Sequence, residues 1–191
     1  MTTVHDQYLV CGNQDGTIRF YDFFFKVVSW FEDMHFNTIK SISFSKTEPR
    51  LATNDFDQEI KDPFKCSDFL VADESSLVCM LQSTIFEEIE PSKKKGRTVF
   101  MGLKSSVCAL AVHPKKPWVA IAGAEGFILM WDYMKKGDPI FSNFDLISKD
   151  EPKNKEKKEQ VFTTLAFTPE GDELLIGQAN GIIQVMDPYT Q

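Results

Sequence analysis

Long apolar runs are missing from this 191-residue chain, and no stretch approaches the roughly 18 consecutive apolar residues of a membrane span. The start, MTTVHDQYLVCG, lacks a basic segment followed by an apolar core, so no secretory signal is expected. Cysteine is scarce: Cys11, Cys66, Cys79 and Cys108 form no C-x-x-C pair. Three of them sit inside apolar runs (YLVCG, SLVCML, SVCALAV), where a thiol reads as a small buried hydrophobe rather than a disulfide or metal ligand. A reducing compartment, the cytoplasm, follows as the expectation. The three histidines, His5, His35 and His113, are scattered and show no metal-ligand spacing. Positive charge is also short. A net charge of −7 and a pI near 5.0 disfavour sequence-independent nucleic-acid binding, which needs a positive field to release counterions.

Motifs of chemistry are equally sparse. No G-x-S-x-G elbow and no phosphate-binding G-x-x-x-x-G-K-[ST] loop occurs. The run from Asn54 to Glu59 alternates acids as a calcium loop does, but Ile60 stands where the loop glycine belongs and Cys66 where its bidentate Glu belongs. The expectation is a non-enzyme: no catalytic residue, no cofactor-binding residue, no metal site and no small-molecule substrate.

What is abundant is apolar and aromatic material, 42% and 13% of the chain with seventeen Phe, enough for a real core. It is arranged periodically. YLVCGNQDGTIRFYD (8–22), FLVADESSLVCMLQ (69–82), WVAIAGAEGFILMWD (118–132) and LLIGQANGIIQVMD (174–187) each place an apolar run, a turn and a second run of five residues in the same order. Gly16, Ser76, Gly126 and Gly181 each lie six residues before Asp22, Gln82, Asp132 and Asp187. Glycine at three of these turns predicts hairpins with a positive φ, and Ser76 is the weak copy. The second runs are apolar on both faces, as strands covered on both sides are.

A strand is predicted ahead of three hairpins, at KSISFS (40–45), VCALAVHP (107–114) and FTTLAFTPEG (162–171). A further strand is predicted after them, at 23–31, 84–90 and 138–144. Residues 1–7 are too short and polar to add one, so about fourteen strands in four incomplete units are expected. Four antiparallel strands per roughly fifty residues, all β, make the blades of a β-propeller, with repeats at about 5–31, 39–90, 105–144 and 161–188 of one domain spanning 1–191. Residues 46–68 and 145–160 read as loop insertions. The cluster Ser92-Lys93-Lys94-Lys95-Gly96-Arg97 reads as a hairpin loop between strands, with nuclear import or contact with an acidic polymer such as the tubulin tail as its sharper readings.

Strand, x-P-x-G turn, strand, D-G turn and a strand ending in W-D is a pattern that resembles the WD40 repeat. Trp131-Asp132, Tyr21-Asp22 and Met186-Asp187 stand at its signature dipeptide, intact once, and the family's Gly-His dipeptide is absent. The resemblance implies about seven or more blades in a closed ring. With ragged ends, four units are expected to form an open ring, or a piece of a longer propeller, that aggregates or needs a partner. DGTIRFYDFFFKVVSWFEDM, IKSISFSK and SSVCALAVHPKKPWVAIAG further resemble the cilia- and flagella-associated WD-repeat proteins of the radial-spoke base, within the calmodulin- and spoke-associated complex. That resemblance implies a scaffold of the axoneme of the motile cilium or flagellum, with radial-spoke-base proteins, a calmodulin-containing complex and the microtubule doublet as partners. A WD-repeat scaffold of a nuclear or cytosolic assembly is the alternative. No basic amphipathic helix of the type calmodulin grips is visible, so contact with calmodulin would be indirect.

Overall fold

The computed structural model describes residues 2–4, 7–31, 35–45, 66–81, 96–101, 106–124, 126–135, 137, 139–143 and 161–190. Among them there is no helix. Fifteen strands form four antiparallel sheets. The first contains β1 (Thr2–Val4), β2 (Tyr8–Gly12), β3 (Ile18–Tyr21) and β4 (Val27–Phe31). The second contains β5 (Ile39–Phe44), β6 (Phe69–Asp73), β7 (Val78–Leu81) and β8 (Arg97–Phe100). The third contains β9 (Val107–Val112), β10 (Trp118–Gly123), β11 (Ile128–Asp132) and β12 (Phe141–Asn143), and the fourth β13 (Phe162–Phe167), β14 (Leu174–Gln178) and β15 (Ile183–Met186). Each sheet pairs its strands in chain order, and the leading strand of one packs on the next, β5 against β9 and β9 against β13. Among the described residues this is an all-β WD40-type propeller architecture of four sheets, none of them closed.

The four hairpins share one geometry. Asn13, Asp73, Gly123 and Gln178 each donate their N–H to the carbonyl four residues on, and each accepts one from the residue three on (Gly16, Ser76, Gly126, Gly181). Those last residues have φ of 78, 66, 79 and 85°, so the glycine follows a type I turn as the left-handed bulge residue instead of sitting at the centre of a two-residue loop. Ser76 takes the conformation without the glycine. Its turn is held instead by Asp73, whose Oδ1 accepts from Ser75 N (3.0 Å), Ser75 Oγ (2.7 Å) and Leu77 N (3.2 Å).

Aligning the hairpins on these residues shows how the sheets stack. Val10, Ile18 and Phe20 face the second sheet; Leu70, Val78 and Met80 stand at the same positions and face the third; Ala120, Ile128 and Met130 occupy them in the third sheet, where Ala120 and Ile128 pack on the fourth. All nine are buried. The first joint is aromatic: Phe20 meets Phe31, Phe44 and Phe69 edge-on at 5.9–6.4 Å. The third is lined by alanines of β9 and β10 against Phe162, Leu174 and Ile176. Full burial of such a side chain is worth about 1.5–3 kcal/mol, so the joints carry much of the stability of these degenerate repeats.

Three strand expectations need correction. Residues 2–4 do add a strand, because β1 pairs with β2 through the backbone, which ignores the polarity of Thr2 and Thr3. The fourth strand of the second sheet is β8 rather than 84–90, which lies outside the described residues. Residues 23–26 are a turn, and the strand begins only at Val27. Covering on both faces holds for β7, all four residues of which are buried, and fails for β3, where Arg19 is exposed and Tyr21 half-buried, and for β15, where every second residue is exposed.

Candidate interaction surfaces

The leading strands converge on a cavity of about 250 Å³, lined by Thr2, Lys40, Ser41, Cys108, Thr163 and Thr164 with neighbouring aliphatic residues. A leading strand has one unpaired edge, and here hydroxyls serve it. Leu110 N and Val112 N of β9 donate to Ser41 Oγ and Ser43 Oγ of β5, each at 3.0 Å. Lys40 Nζ is 3.8 Å from Glu74. Burial raises the pKa of the Cys108 thiol, against a smaller opposing pull from Lys40. Among the described residues the wall therefore offers hydroxyls, a protonated thiol and an ammonium, but no carboxylate or imidazole to move a proton. No group of three or more His, Cys, Asp or Glu among the described residues is placed to hold a metal ion.

At the turns the role of the terminal Asp in the signature dipeptide is plain. Asp22, Asp132 and Asp187 each accept, through Oδ1, the N–H two residues on: Phe24 (2.9 Å), Met134 (3.0 Å) and Tyr189 (2.7 Å). The carboxylate closes an Asx turn at the end of the strand, which explains why the Asp is retained where the Trp is not. Gln82, at the same position, lies outside the described residues.

A second polar knot joins the third and fourth sheets. His113 is buried at the end of β9. Its Nδ1 accepts from Lys115 N (3.0 Å) and Lys116 N (3.1 Å), so the proton of the neutral ring is on Nε2, which lies 2.8 Å from Tyr189 Oη. Phe167, Trp118 and Tyr189 surround the ring, and Lys116 Nζ sits 4.0 and 4.1 Å from the centres of Trp118 and Tyr189. Burial, with the charges of Lys116 and Lys115, lowers the imidazole pKa below its usual 6.5, although a hydrogen bond with the Gly171 backbone acts the other way. Lys115 pairs with Glu170 across the same boundary. This imidazole is a strut. Its ring nitrogens are engaged, so it is not poised as a base.

Among the described residues, the β3–β4 turn gathers several exposed aromatic side chains. Phe23, Phe24 and Phe25 are all exposed, Phe24 by 92%, and Trp30 on β4 joins them. Phe25 holds φ at 60°, a strained conformation for a bulky side chain that costs about 1–2 kcal/mol. Aromatic groups held out in water on a strained turn are the composition of a protein-docking surface. Three consecutive Phe after an Asp turn cap was the signal available in the sequence, masked by the β propensity of the same residues.

Of the expected features, Lys93, Lys94 and Lys95 lie outside the described residues, as do 54–59, 46–65 and 145–160. Arg97 opens β8, where its guanidinium donates to the Tyr133 carbonyl and lies 3.3 Å from Met80 Sδ; it belongs to a strand and not to a loop. Cys66 and Cys79 are buried, while Cys11 and Cys108 are half-buried. His35 is exposed and His5 lies outside the described residues.

Comparison with known proteins agrees with this geometry. Residues 95–132 match the WD domain, G-beta repeat. Over 96% of its length the chain is 31% identical to the Cilia- and flagella-associated protein 251 of Tetrahymena thermophila, and over 98% it is 29% identical to that of Chlamydomonas reinhardtii. The mouse protein of that name is 26% identical over 95% of the chain. The chain spans 19, 21 and 13% of the lengths of these three relatives.

Proposed function

We propose that this WD-repeat chain is a non-catalytic protein-interaction scaffold of the motile cilium or flagellum, acting in the axoneme to assemble or anchor radial spokes. One observation carries the reading: likeness to relatives named for cilia and flagella runs over 95–98% of the chain, so it includes the rim turns and outer strands as well as the repeat core. The surfaces support it. The Phe23–Phe25 turn and Trp30 offer aromatic anchors to a protein. The domain is a partial WD40 β-propeller over 1–191, and the partners are spoke-base proteins, a calmodulin-containing complex and the microtubule doublet, with calmodulin held through another subunit.

The test is a tagged chain expressed in a ciliated cell. Localisation along the axoneme and co-purification of spoke-base proteins are expected. Accumulation in the nucleus, or a diffuse cytoplasmic signal with no axonemal protein retained, would overturn the assignment. Replacing Phe24 and Trp30 with Ser is expected to weaken co-purification at least tenfold while leaving the thermal melt within a few degrees, since both side chains are exposed.

A further inference from the structure

The hydroxyl ties between leading strands stop at the second joint, and the cavity opens where they stop. Ser41 and Ser43 of β5 accept the N–H groups of Leu110 and Val112, which face out from the free edge of β9. The third joint repeats this geometry without the hydroxyls. Leu110 lies opposite Ile121 and Leu165 opposite Ile176, each two residues before the turn residues Gly123 and Gln178. The Leu165 N–H therefore leaves β13 on its free edge, as the Leu110 N–H leaves β9. Ser41 lies opposite Ala72 and Ala109 opposite Ala122, each one residue before its turn, so Ala109 holds on β9 the place of Ser41. A methyl group thus meets the Leu165 amide where β5 offers an oxygen, and Ala109 and Leu165 both line the cavity. An edge donor placed this way is met by water or by a ligand.

The groups around it are donors too, and one is charged. Lys40 Nζ is 3.8 Å from Glu74, with side chains 39 and 49% exposed, so that pair holds the ammonium only weakly. Ser41 uses a lone pair in the bond from Leu110, which leaves its proton to donate. The Cys108 thiol reaches the Ser106 carbonyl only at 4.0 Å. Among the described lining residues there is no carboxylate. A space of about 250 Å³ falls below the roughly 300–1,000 Å³ of sites for drug-sized molecules and suits one small group.

We propose that this cavity is an oxyanion site, taking one phosphate or carboxylate group among the Lys40 ammonium, the Ser41 hydroxyl and the Leu165 amide. A cation is repelled by Lys40, and a neutral ligand leaves its charge unanswered. An oxyanion supplies acceptors to all three donors and pairs the ammonium with a charge-assisted hydrogen bond. The net charge of −7 opposes anions at long range, so recognition rests on these short contacts. The site is built from the second, third and fourth sheets and is independent of the ciliary assignment.

Cys108 lies in the cavity wall and Cys11 does not, and both are half-buried, so timed iodoacetamide labelling of the full chain reads occupancy with an internal control. At constant ionic strength, millimolar inorganic phosphate is expected to slow labelling of Cys108 by about tenfold as the unoccupied fraction falls, and to leave Cys11 unchanged. A glutamate-rich peptide tested in parallel separates the two sources. Protection at lower concentration than phosphate assigns a carboxylate of a protein segment, and protection by phosphate alone assigns a free ion. Lys40→Met is expected to abolish protection, while Lys135→Met, which removes another exposed ammonium, retains it. Ala109→Ser supplies the acceptor that Leu165 lacks and is expected to weaken protection without lowering the thermal melt. Equal labelling of Cys108 with and without either anion would overturn the proposal, and so would protection that survives in Lys40→Met.

Discussion

Replacing Asp73 with Ala removes four hydrogen bonds from one buried carboxylate. Oδ1 holds the Ser75-Ser76 turn as described above, and Oδ2 accepts from Asn37 N at 3.0 Å. Asn37 belongs to the segment that leads from the first sheet into the second. That segment is wedged between two turns: Ile39 N donates to Asn13 O (3.1 Å), Thr38 Oγ1 to Gln14 O (3.3 Å), and Glu74 N to Thr38 O (2.9 Å). A hydrogen bond to a charged acceptor contributes about 1.5–3 kcal/mol, but turn donors regain water once the carboxylate is gone. Counting the Asn37 bond in full and the three turn bonds at a fraction gives a loss of about 3 kcal/mol for Asp73→Ala. In a chain of this size that lowers Tm by roughly 6–12 °C. Asp73→Asn keeps a neutral acceptor at Oδ1 and is expected to lose about 1 kcal/mol. Asp15, whose carboxylate bonds Thr17 at an exposed turn, is the control, and its Ala variant is expected to shift the melt far less than Asp73→Ala. Thermal melts by circular dichroism read all three. Equal shifts for Asp73→Ala and Asp15→Ala would refute the role of the buried carboxylate as the tie between sheets.

Stability is expected to fall as pH drops below 6.5. Burial lowers the folded-state pKa of His113, so the unfolded chain takes up a proton that the folded one refuses until the lower pKa is passed, after which the His113 contribution is flat. Melts from pH 7.5 to 5 should show this slope shallower in His113→Gln, and equal slopes would remove the claim. Gly171→Ala is expected to cost about 2 kcal/mol or more, since φ is +78° and an added Cβ would lie 2.4 Å from the His113 ring; a melt within a degree of the parent would contradict it. The Cys66 thiol, pushed up to about 12 mainly by burial, should resist alkylation at pH 8 while Cys11 and Cys108 react. Mass spectrometry after timed iodoacetamide treatment settles the order, and early labelling of Cys66 would refute its burial. Ser41→Ala with Ser43→Ala leaves two β9 amides without acceptors and is expected to lose about 1–3 kcal/mol in all, read by the same melts.

The hairpins were legible because their information is local. Gly16, Gly126 and Gly181 mark a backbone conformation that other residues avoid, and the fixed distance to a closing Asp repeats it three times. Even the weak copy at Ser76 fell at its proper place, though nothing local said that Asp73 would compensate. Strand ends were less legible. Thr2–Val4 forms a strand through pairing with β2, which leaves no mark on its composition, and Phe23–Phe25 look like strand while the Asp22 cap turns them outward. The His113 knot was out of reach: Glu170 lies 55 residues from its partner Lys115 in the turn, and Tyr189 lies 76 residues from His113. Apolar runs also cannot report which of two sheet faces is covered, so Ile183 and Ile128 look alike in sequence and differ wholly in exposure.

The apolar positions and the polar ties divide the work of specifying this stack. The former are interchangeable in type: Val10, Leu70 and Ala120 occupy one position in three joints, and any sheet with an aliphatic face could meet any other there. The polar ties are not interchangeable. Between the first and second sheets the tie is the 36–39 segment held by Asp73; between the second and third it is Ser41 and Ser43 of β5 accepting from β9 amides; between the third and fourth it is His113 with Tyr189. Each uses donors and acceptors that the other joints lack, so a sheet docked in the wrong order would bury unmet N–H groups or a carboxylate without donors, at about 1–3 kcal/mol for each neutral group and more for the charge. With the Gly-His dipeptide missing from every repeat, sheet order is set by these three unlike ties. Strengthening the aliphatic faces alone would then raise stability and loosen order together.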